Sequence, residues 1–361
     1  REIAEHADAL TGLTKRNRVA IMVSNEALTA LEWFSLETGF PRRYSGGGAS
    51  YNDVFRWVYD ALFDLNIEVD ILPADAGAER LARYDVLVAP ALYVTPEATT
   101  RALRDYVRGG GHLVTTFRTG VADENLQVFT DRQPHGLSDL LGLGTDQFTR
   151  PEGVRLAPRG ALAEALGPEG ADAAGCEGAD GGDAAVGGSA AGGSAAGGSA
   201  AGAVGRNDAD LTASTFMELL TPVAHPAEGD DVEVLAEYSH HAWSGPAIAT
   251  RAVGSGSVTH LATMTSPALL RSVLRLVAER ARVDDWAQEL AGTVAVRRGV
   301  NGRGRGLTYL LNYSRDEVDL VLPVGGEDVL GVVGDPGAAL AAGAAVSIPA
   351  WGVLVVEGER A

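Results

Sequence analysis

Apolar strands alternate with amphipathic helices through the first third of the chain, and this alternation constrains the fold more than any other feature. The run VAIMV at 19–23 is continuously apolar, as expected of a strand that is buried on both faces. The segment 51–66 then places its apolar residues on one helical stripe. The alternation continues with strands at 69–72, 84–94 and 112–117 and a helix at 95–111. Thr95 is predicted to cap that helix, with Pro96 at its first helical position. Strands and helices in this order form right-handed crossovers, so the sequence predicts an α/β fold with a mainly parallel, flavodoxin-like (class I amidotransferase-like) sheet.

Composition divides the rest of the chain into further segments. A repeated GGSAA unit has nothing to bury, so 171–205 is predicted to be a flexible Gly/Ala/Ser-rich insertion. Ordered patterns resume at 232–281, with a hairpin across 254–256 and a closing helix, and are predicted to complete the first domain. The predicted organisation is a connecting helix at 1–17, an α/β domain at 18–282 and a C-terminal β-sandwich domain at 283–361.

Charge and composition exclude several classes of protein. Acidic residues outnumber basic ones by 48 to 29, and a formal charge of −19 argues against nucleic-acid binding, which needs a basic surface. No apolar run approaches the roughly 20 residues that span a bilayer, and the first residues lack the apolar core of a signal peptide. We therefore expect a cytoplasmic protein without membrane contact. The single cysteine, Cys176, lies in an acidic tract and is expected to be inert.

A search for chemistry finds no active site. After the third predicted strand, where an amidotransferase-like enzyme carries its cysteine, the sequence VAPALYVTP offers no nucleophile. His240 and His241 form the one close histidine pair, but adjacent residues of a strand face opposite ways, so a shared metal is not expected. Asp123 and Glu124 are likewise neighbours, which does not suit the two separated carboxylates of a glycosidase. No cofactor or metal is expected.

The polar segment FRTGVADEN at 117–125, with its continuation GLSDLLGL at 136–143, resembles the trimerisation domain of glycoside hydrolase family 42 β-galactosidases. Segments at 18–32, 51–72, 84–117 and 244–263 follow in the order of that family. The runs TYLLNYS and IPAWGVLVVE resemble the family's small C-terminal β domain. The resemblance covers essentially the whole chain outside the insertion.

The resemblance implies a non-catalytic role. Family members cleave terminal β-D-galactosides with retention, using a (β/α)₈ barrel that carries a glutamate acid/base and a glutamate nucleophile. Such a barrel takes about 250 residues, and only 17 residues precede the first predicted strand here. Neither catalytic glutamate is therefore assigned to this chain. We expect the C-terminal part of a β-galactosidase, whether fragment, split subunit or truncated gene, that is inactive alone. It would assemble as a homotrimer, with a barrel supplied by the full-length or a separate chain.

The resemblance also indicates candidate residues at the trimer interface or at the rim of a neighbour's sugar pocket. They are Glu26, Trp33, Arg118, Asp123, Glu124 and Asn125. Two interpretations of the last four remain open: a network that stabilises the turn, or an interface that shapes the trimer or the pocket rim. One departure concerns Ser24-Asn25 and Leu28-Thr29, which stand where the family commonly has Asp-Trp and a pair of tryptophans. Trp33 and Phe34 either replace that aromatic surface or have the commoner role of packing.

The alternative is a stand-alone module that binds a small molecule or a carbohydrate without hydrolysing it. An exposed aromatic stripe on the C-terminal domain would favour this alternative. The β runs of that domain offer only Tyr309, Tyr313 and Trp351.

Overall fold

The computed structural model describes residues 6–34, 36, 49–172 and 211–359, without the side chains of 168–172. Apart from its first two residues, the predicted insertion at 171–205 lies outside the described residues, and so does Cys176. The helices are α1 (Ala7–Leu10), α2 (Asn25–Trp33), α3 (Tyr51–Asp64), α4 (Ala78–Leu81), α5 (Glu97–Arg108), α6 (Ser138–Leu141), α7 (Gly160–Asp172), α8 (Pro267–Arg280) and α9 (Trp286–Glu289). The strands are β1 (Val19–Val23), β2 (Val69–Pro73), β3 (Val86–Ala89), β4 (His112–Thr116), β5 (Leu143–Thr149), β6 (Arg155–Pro158), β7 (Ser214–Pro222), β8 (Glu233–Ser239), β9 (Ser244–Val253), β10 (Gly256–Leu261), β11 (Thr263–Met264), β12 (Ala295–Val300), β13 (Gly306–Leu311), β14 (Val318–Val321), β15 (Gly326–Asp328), β16 (Ala338–Leu340), β17 (Ala345–Ile348) and β18 (Val353–Gly358).

The central sheet has eight strands in the order β2-β1-β3-β4-β10-β9-β8-β6. The first five strands are parallel neighbours, which confirms the predicted α/β fold with a large, mostly parallel sheet. The last three strands pair antiparallel, starting with the hairpin of β9 and β10 across Gly254. The strands of 233–261 therefore extend the same sheet rather than forming a new one. Within the described ranges the sheet does not close into a barrel.

Two helices begin at a serine cap, and a third begins later than the sequence predicts. Ser50 and Asp53 form a capping box that starts α3, and Ser266 caps α8. The prediction that Thr95 caps α5 is wrong. Pro96 is the extended residue before the helix (φ −53°, ψ 150°), so the helix begins at Glu97, one position later than predicted. The Thr95 hydroxyl is buried and has no hydrogen-bond partner in the described structure.

The predicted connecting helix at 1–17 is wrong over most of its described length. Only α1 is helical; Thr11 after it is extended, and Gly12 then has a left-handed backbone (φ +68°) packed against Gly302. Thr14 then forms an antiparallel bridge with Val300 of β12, and the Asn301 amide donates to the Ala9 carbonyl. Contacts with the C-terminal strands therefore replace the helical hydrogen bonds that the apolar spacing suggested.

Small antiparallel sheets complete the fold, as predicted. One of them, β11-β7-β5, lies against the large sheet and carries Glu218 in its middle strand. The C-terminal strands form a five-stranded sheet, β12-β13-β18-β15-β16, and a two-stranded sheet, β14-β17. Both sheets contribute to one apolar cluster that includes Val296, Leu310, Ile348 and Leu354.

Asn66 joins the first core to the C-terminal strands. It is buried, with a left-handed backbone (φ +56°) directly after α3. Its amide donates to the carbonyls of Ala287 and Val294, both at 3.0 Å, and its side-chain oxygen accepts from the Val296 N–H at 2.9 Å. In the described part of the chain, no helix is long and apolar enough to cross a membrane.

Candidate functional site

A chain of buried polar side chains lies where β4 and β10 end. His260 of β10 is fully buried, and its Nε2 lies 2.8 Å from Oε2 of Glu218, which is 2% exposed. On its other side, His260 Nδ1 lies 2.8 Å from the hydroxyl of Thr115 in β4. The second carboxylate oxygen of Glu218 accepts from the backbone N–H of Arg118 at 2.9 Å. The polar chain therefore connects two parallel strands, through β7, to the loop that follows β4.

Arg118 turns back into the protein at this loop. Its backbone is left-handed (φ +63°), a conformation that bulky residues rarely adopt, and its side chain is 5% exposed. The guanidinium carbon lies 4.2 Å from the ring centroid of Phe216 and 4.8 Å from that of Phe148. Its Nε–H donates to the carbonyl of Leu36, three residues after α2. Arg118 therefore fixes the loop after β4 against the segment that follows α2.

The environment of Arg118 disfavours its charge. Burial lowers the pKa of the guanidinium, and nearby Tyr93 and Glu218 offset only part of that effect. Within the described structure, Nη2 is buried and has no hydrogen-bond partner. The attraction between the guanidinium cation and the faces of Phe148 and Phe216 offsets part of the hydration energy lost on burial. The side chain is suited to holding the fold, because it is only 5% exposed and its Nη2 is buried.

Asp123 closes the exposed turn that carries the rest of the polar motif. One of its carboxylate oxygens accepts from the N–H groups of Asn125 at 2.9 Å and Gln127 at 2.8 Å. The Asp123 N–H in turn donates to the Gln127 carbonyl at 3.0 Å. Glu124 and Asn125 sit at the exposed tip. The turn is thus held by hydrogen bonds within itself.

Glu26 and Trp33 lie on α2, at the same edge of the central sheet. The cap of this helix is Ser24, whose hydroxyl accepts from the Ala27 N–H and lies 3.2 Å from Glu26 Oε2. Glu26 is exposed in the first turn, where a carboxylate suits the positive end of the helix dipole. Trp33, in the last turn, is 70% exposed. Its ring therefore contributes little to the packing of this chain.

The structure separates the six candidate residues into an inner and an outer set. Arg118 is inside, bonded to Glu218 and to the segment after α2. Glu26, Trp33, Glu124 and Asn125 are exposed, and Asp123 is half-buried. The motif at 117–125 is therefore not one ion-pair network, because Arg118 takes its partners from β7 and from Leu36.

Sequence reasoning missed Glu218 and His260. Each is a lone charged or titratable residue inside an apolar run, TFMELL and VTHLAT, and that irregularity was the available signal. Their burial leaves no room for substrate, since Thr115, Glu218 and His260 are each at most 2% exposed. The arrangement can position a loop, but it cannot act on a bound molecule.

No group of three or more His, Cys, Asp or Glu residues suited to a metal ion occurs among the residues that the structure describes. The prediction that His240 and His241 lie in a strand and face opposite ways is wrong. The two residues follow β8 in a bend rather than in a strand, and their ring centroids are 3.9 Å apart.

Residues 17–161 match the model of the β-galactosidase trimerisation domain family. The β-galactosidase BgaA of a Planococcus strain is 26% identical over 274 residues, which are 75% of this chain and 32% of that protein. The β-galactosidase BgaB of a Geobacillus strain is 32% identical over 142 residues, 39% of this chain and 19% of that protein. The matched regions thus span at most about a third of these curated relatives.

Solved β-galactosidase structures share the fold along nearly the whole chain. The enzyme from Bacillus circulans sp. alkalophilus superimposes with a TM-score of 0.70 at 19% identity, covering 99% of this chain and 43% of that one. The enzyme from the haloarchaeon Halorubrum lacusprofundi gives 0.65 at 22% identity, with 99% and 42% covered. Residues 17–161 therefore belong to the β-galactosidase trimerisation domain family, and the chain as a whole is similar to the non-catalytic region of glycoside hydrolase family 42 β-galactosidases.

Proposed function

We propose that this chain assembles a β-galactosidase as a homotrimer and contributes to the rim of the sugar pocket, while a (β/α)₈ barrel outside these residues performs the hydrolysis of terminal β-D-galactosides. The observation that carries the proposal is the match of 17–161 to a trimerisation domain. The buried polar chain supports it, because Glu218 and His260 are placed to hold a loop and not to reach a substrate.

The proposed architecture is a flavodoxin-like domain followed by a β-sandwich. The order β2-β1-β3-β4-β10 corresponds to the 2-1-3-4-5 order of flavodoxin-like sheets, with three antiparallel strands added beyond it. The apolar cluster between the two C-terminal sheets supports the sandwich. Separate apolar clusters, over 19–281 and 287–356, support domains at 18–282 and 283–361.

The proposed assembly surface is the edge formed by α2 and the turn at 123–127. Trp33 is its central residue, because a large ring that is 70% exposed has surface to bury in a contact. Glu26, Glu124 and Asn125 supply charge and hydrogen-bonding groups around it. Arg118 supports this surface from beneath by holding the loop after β4. A three-fold contact joins different patches of two protomers, so these residues need not face their own copies.

Light scattering coupled to size exclusion tests the assembly. We expect a mass of about 112 kDa, three times the 37.4 kDa of one chain. Trp33→Ala should move the equilibrium towards monomer, since a buried interface tryptophan commonly contributes about 2 kcal/mol or more. Trp351→Gly removes another exposed tryptophan (61%) from the C-terminal domain and should remain trimeric. A wild-type monomer at all concentrations would refute the proposal, whereas a trimer insensitive to Trp33→Ala would refute only the assigned surface.

Hydrolysis gives a second test. The chain alone should not release a chromophore from a chromogenic β-galactoside. Turnover above that of a buffer blank would contradict the assignment of catalysis to a separate barrel.

A further inference from the structure

Three aromatic rings from α3 and from the segment after β13 lie next to one another, and a fourth aromatic residue, Trp351, lies on a neighbouring segment. Phe63 of α3 lies between Tyr59, one helical turn earlier, and Tyr313, which follows β13; its ring centroid is 6.3 Å from that of Tyr59 and 6.5 Å from that of Tyr313. Trp351 lies on the segment adjoining Tyr313. Tyr59, Tyr313 and Trp351 are 37%, 39% and 61% exposed. We call this set, Tyr59, Phe63, Tyr313 and Trp351, the aromatic strip.

The backbone beneath the C-terminal half of the strip is rigidly held. The Asn312 N–H donates to the Gly352 carbonyl at 2.9 Å, and the Trp351 N–H donates to the Ser314 carbonyl at 3.3 Å. The buried amide of Asn312 also donates to the carbonyls of Ile348 and Pro349. The two loops that carry Tyr313 and Trp351 are thereby fixed to each other. A ligand would meet rings that are already in place, which reduces the entropic cost of binding.

Trp351 has a backbone conformation that glycine would adopt more easily. Its φ is +58°, a region that is sterically unfavourable for a bulky side chain. The ring gains little from burial in return, because most of it faces solvent. A strained residue that presents a large ring to solvent is typical of a binding site rather than of a core.

Charged groups border the strip. The guanidinium of Arg297 lies over the ring of Phe63, with its carbon 4.2 Å from the centroid. Asp60 and Arg56 are exposed next to Tyr59 on the outer face of α3. The rings are therefore accompanied by charged groups and do not form a purely apolar face.

We propose that the aromatic strip binds a chain of β-linked hexopyranose sugars. The C–H face of a pyranose ring packs against an aromatic ring, and its equatorial hydroxyls extend sideways to hydrogen-bond with guanidinium and carboxylate groups. Successive aromatic rings beside Arg297 and Asp60 match this repeating chemistry. The aromatic strip is thus larger than the C-terminal segments alone would provide, because Tyr59 and Phe63 join it from α3. The proposal does not depend on the assembly function.

Native affinity electrophoresis of the full chain tests the proposal, with soluble β-1,4-galactan and a soluble β-glucan as separate probes and dextran, an α-glucan, as the control polymer. We expect at least one β-linked polymer to slow the wild-type chain. Trp351→Gly should weaken binding about tenfold, or roughly 1.4 kcal/mol. This variant relieves the backbone strain, so it is expected to fold. Tyr313→Ala should act similarly, whereas Tyr313→Phe keeps the ring and should keep most of the binding. Val321→Ala, in an equally exposed residue of the same region, should bind as wild type.

Three outcomes would overturn the proposal. One is wild-type mobility that neither β-linked polymer changes, or that dextran changes equally. Another is unaltered binding in both Trp351→Gly and Tyr313→Ala. The third is a change in oligomeric state of these variants by light scattering, which would assign the strip to a protein contact. The first two results do not bear on whether the wild-type chain is a trimer.

Discussion

Replacement of Glu218 by alanine should be among the most destabilising single changes in this chain. The carboxylate is 2% exposed and holds His260 on one oxygen and the Arg118 N–H on the other. Its removal leaves a buried imidazole and a buried N–H without their acceptor. Breaking a buried pair costs about 3–5 kcal/mol, and an unsatisfied buried N–H alone costs about 1–3 kcal/mol. Because the two effects share one site, we expect a loss of about 4 kcal/mol rather than their sum.

Glu218→Gln keeps the shape of the side chain and removes its negative charge. The amide retains an oxygen for the Arg118 N–H and a hydrogen-bonding group for His260, so its cost should be about 1–2 kcal/mol. Glu237→Ala is the matched control, because Glu237 pairs with Arg159 through Nε at 3.0 Å and Nη2 at 2.9 Å but its side chain is 39% exposed. That exposed pair should contribute at most about 1 kcal/mol.

Urea unfolding followed by tryptophan fluorescence measures all three variants. The reasoning requires the order Glu218→Ala, Glu218→Gln, Glu237→Ala, from the largest loss to the smallest. If Glu218→Ala cost no more than Glu237→Ala, the buried polar chain would not be holding the loop after β4, and the support inferred for Arg118 would be wrong.

Two further changes test the amino-terminal edge of the sheet and the junction with the C-terminal strands. Burial lowers the pKa of His112; Asp85 opposes this effect and Arg280 adds to it. Below about pH 6.5 the unfolded chain therefore binds more protons than the folded chain, and the free energy of unfolding decreases as the pH is lowered. His112→Gln should make this decrease between about pH 7 and pH 5 smaller, and an unchanged decrease would contradict the argument. Asn66→Ala removes three buried hydrogen bonds at a residue with a left-handed backbone and should lower the free energy of unfolding in urea by about 2–4 kcal/mol. Asn66→Gly removes the same bonds but relieves the backbone strain, so its loss should be smaller. Equal losses would show that the backbone conformation contributes little.

The elements that sequence patterns located correctly are those governed by local periodicity. VAIMV became β1 at the predicted residues, and the apolar stripe from Tyr51 became α3. The N-terminal segment failed the same test for a physical reason. Its apolar spacing is compatible with a helix, but the backbone is extended at Thr11 and left-handed at Gly12, and the bridge between Thr14 and Val300 fixes an extended path. No local pattern reveals a partner almost 300 residues away.

The candidate site was only partly predictable for the same reason. Arg118 and Asp123 stand five residues apart in a polar motif, which suggested one network. Arg118 instead takes its acceptors from Glu218, 100 residues later, and from Leu36, 82 residues earlier. A lone glutamate in an apolar strand signals a buried partner, but periodicity cannot say which residue that partner is.

The separation of buried Arg118 from the turn at 123–127 bears on where catalysis can occur. A retaining glycosidase needs two carboxyl groups about 5 Å apart facing a sugar. Here Asp123 is occupied by the N–H groups of its own turn, and Glu124 is exposed at the tip. Glu218, the deeply buried carboxylate nearby, faces His260 and a backbone N–H. The same polar motif that identifies the family therefore uses its inner residue to fix a loop and its outer residues to present a surface. Such a division suits the proposed contact with a neighbouring subunit, with the reacting carboxylates on the proposed barrel.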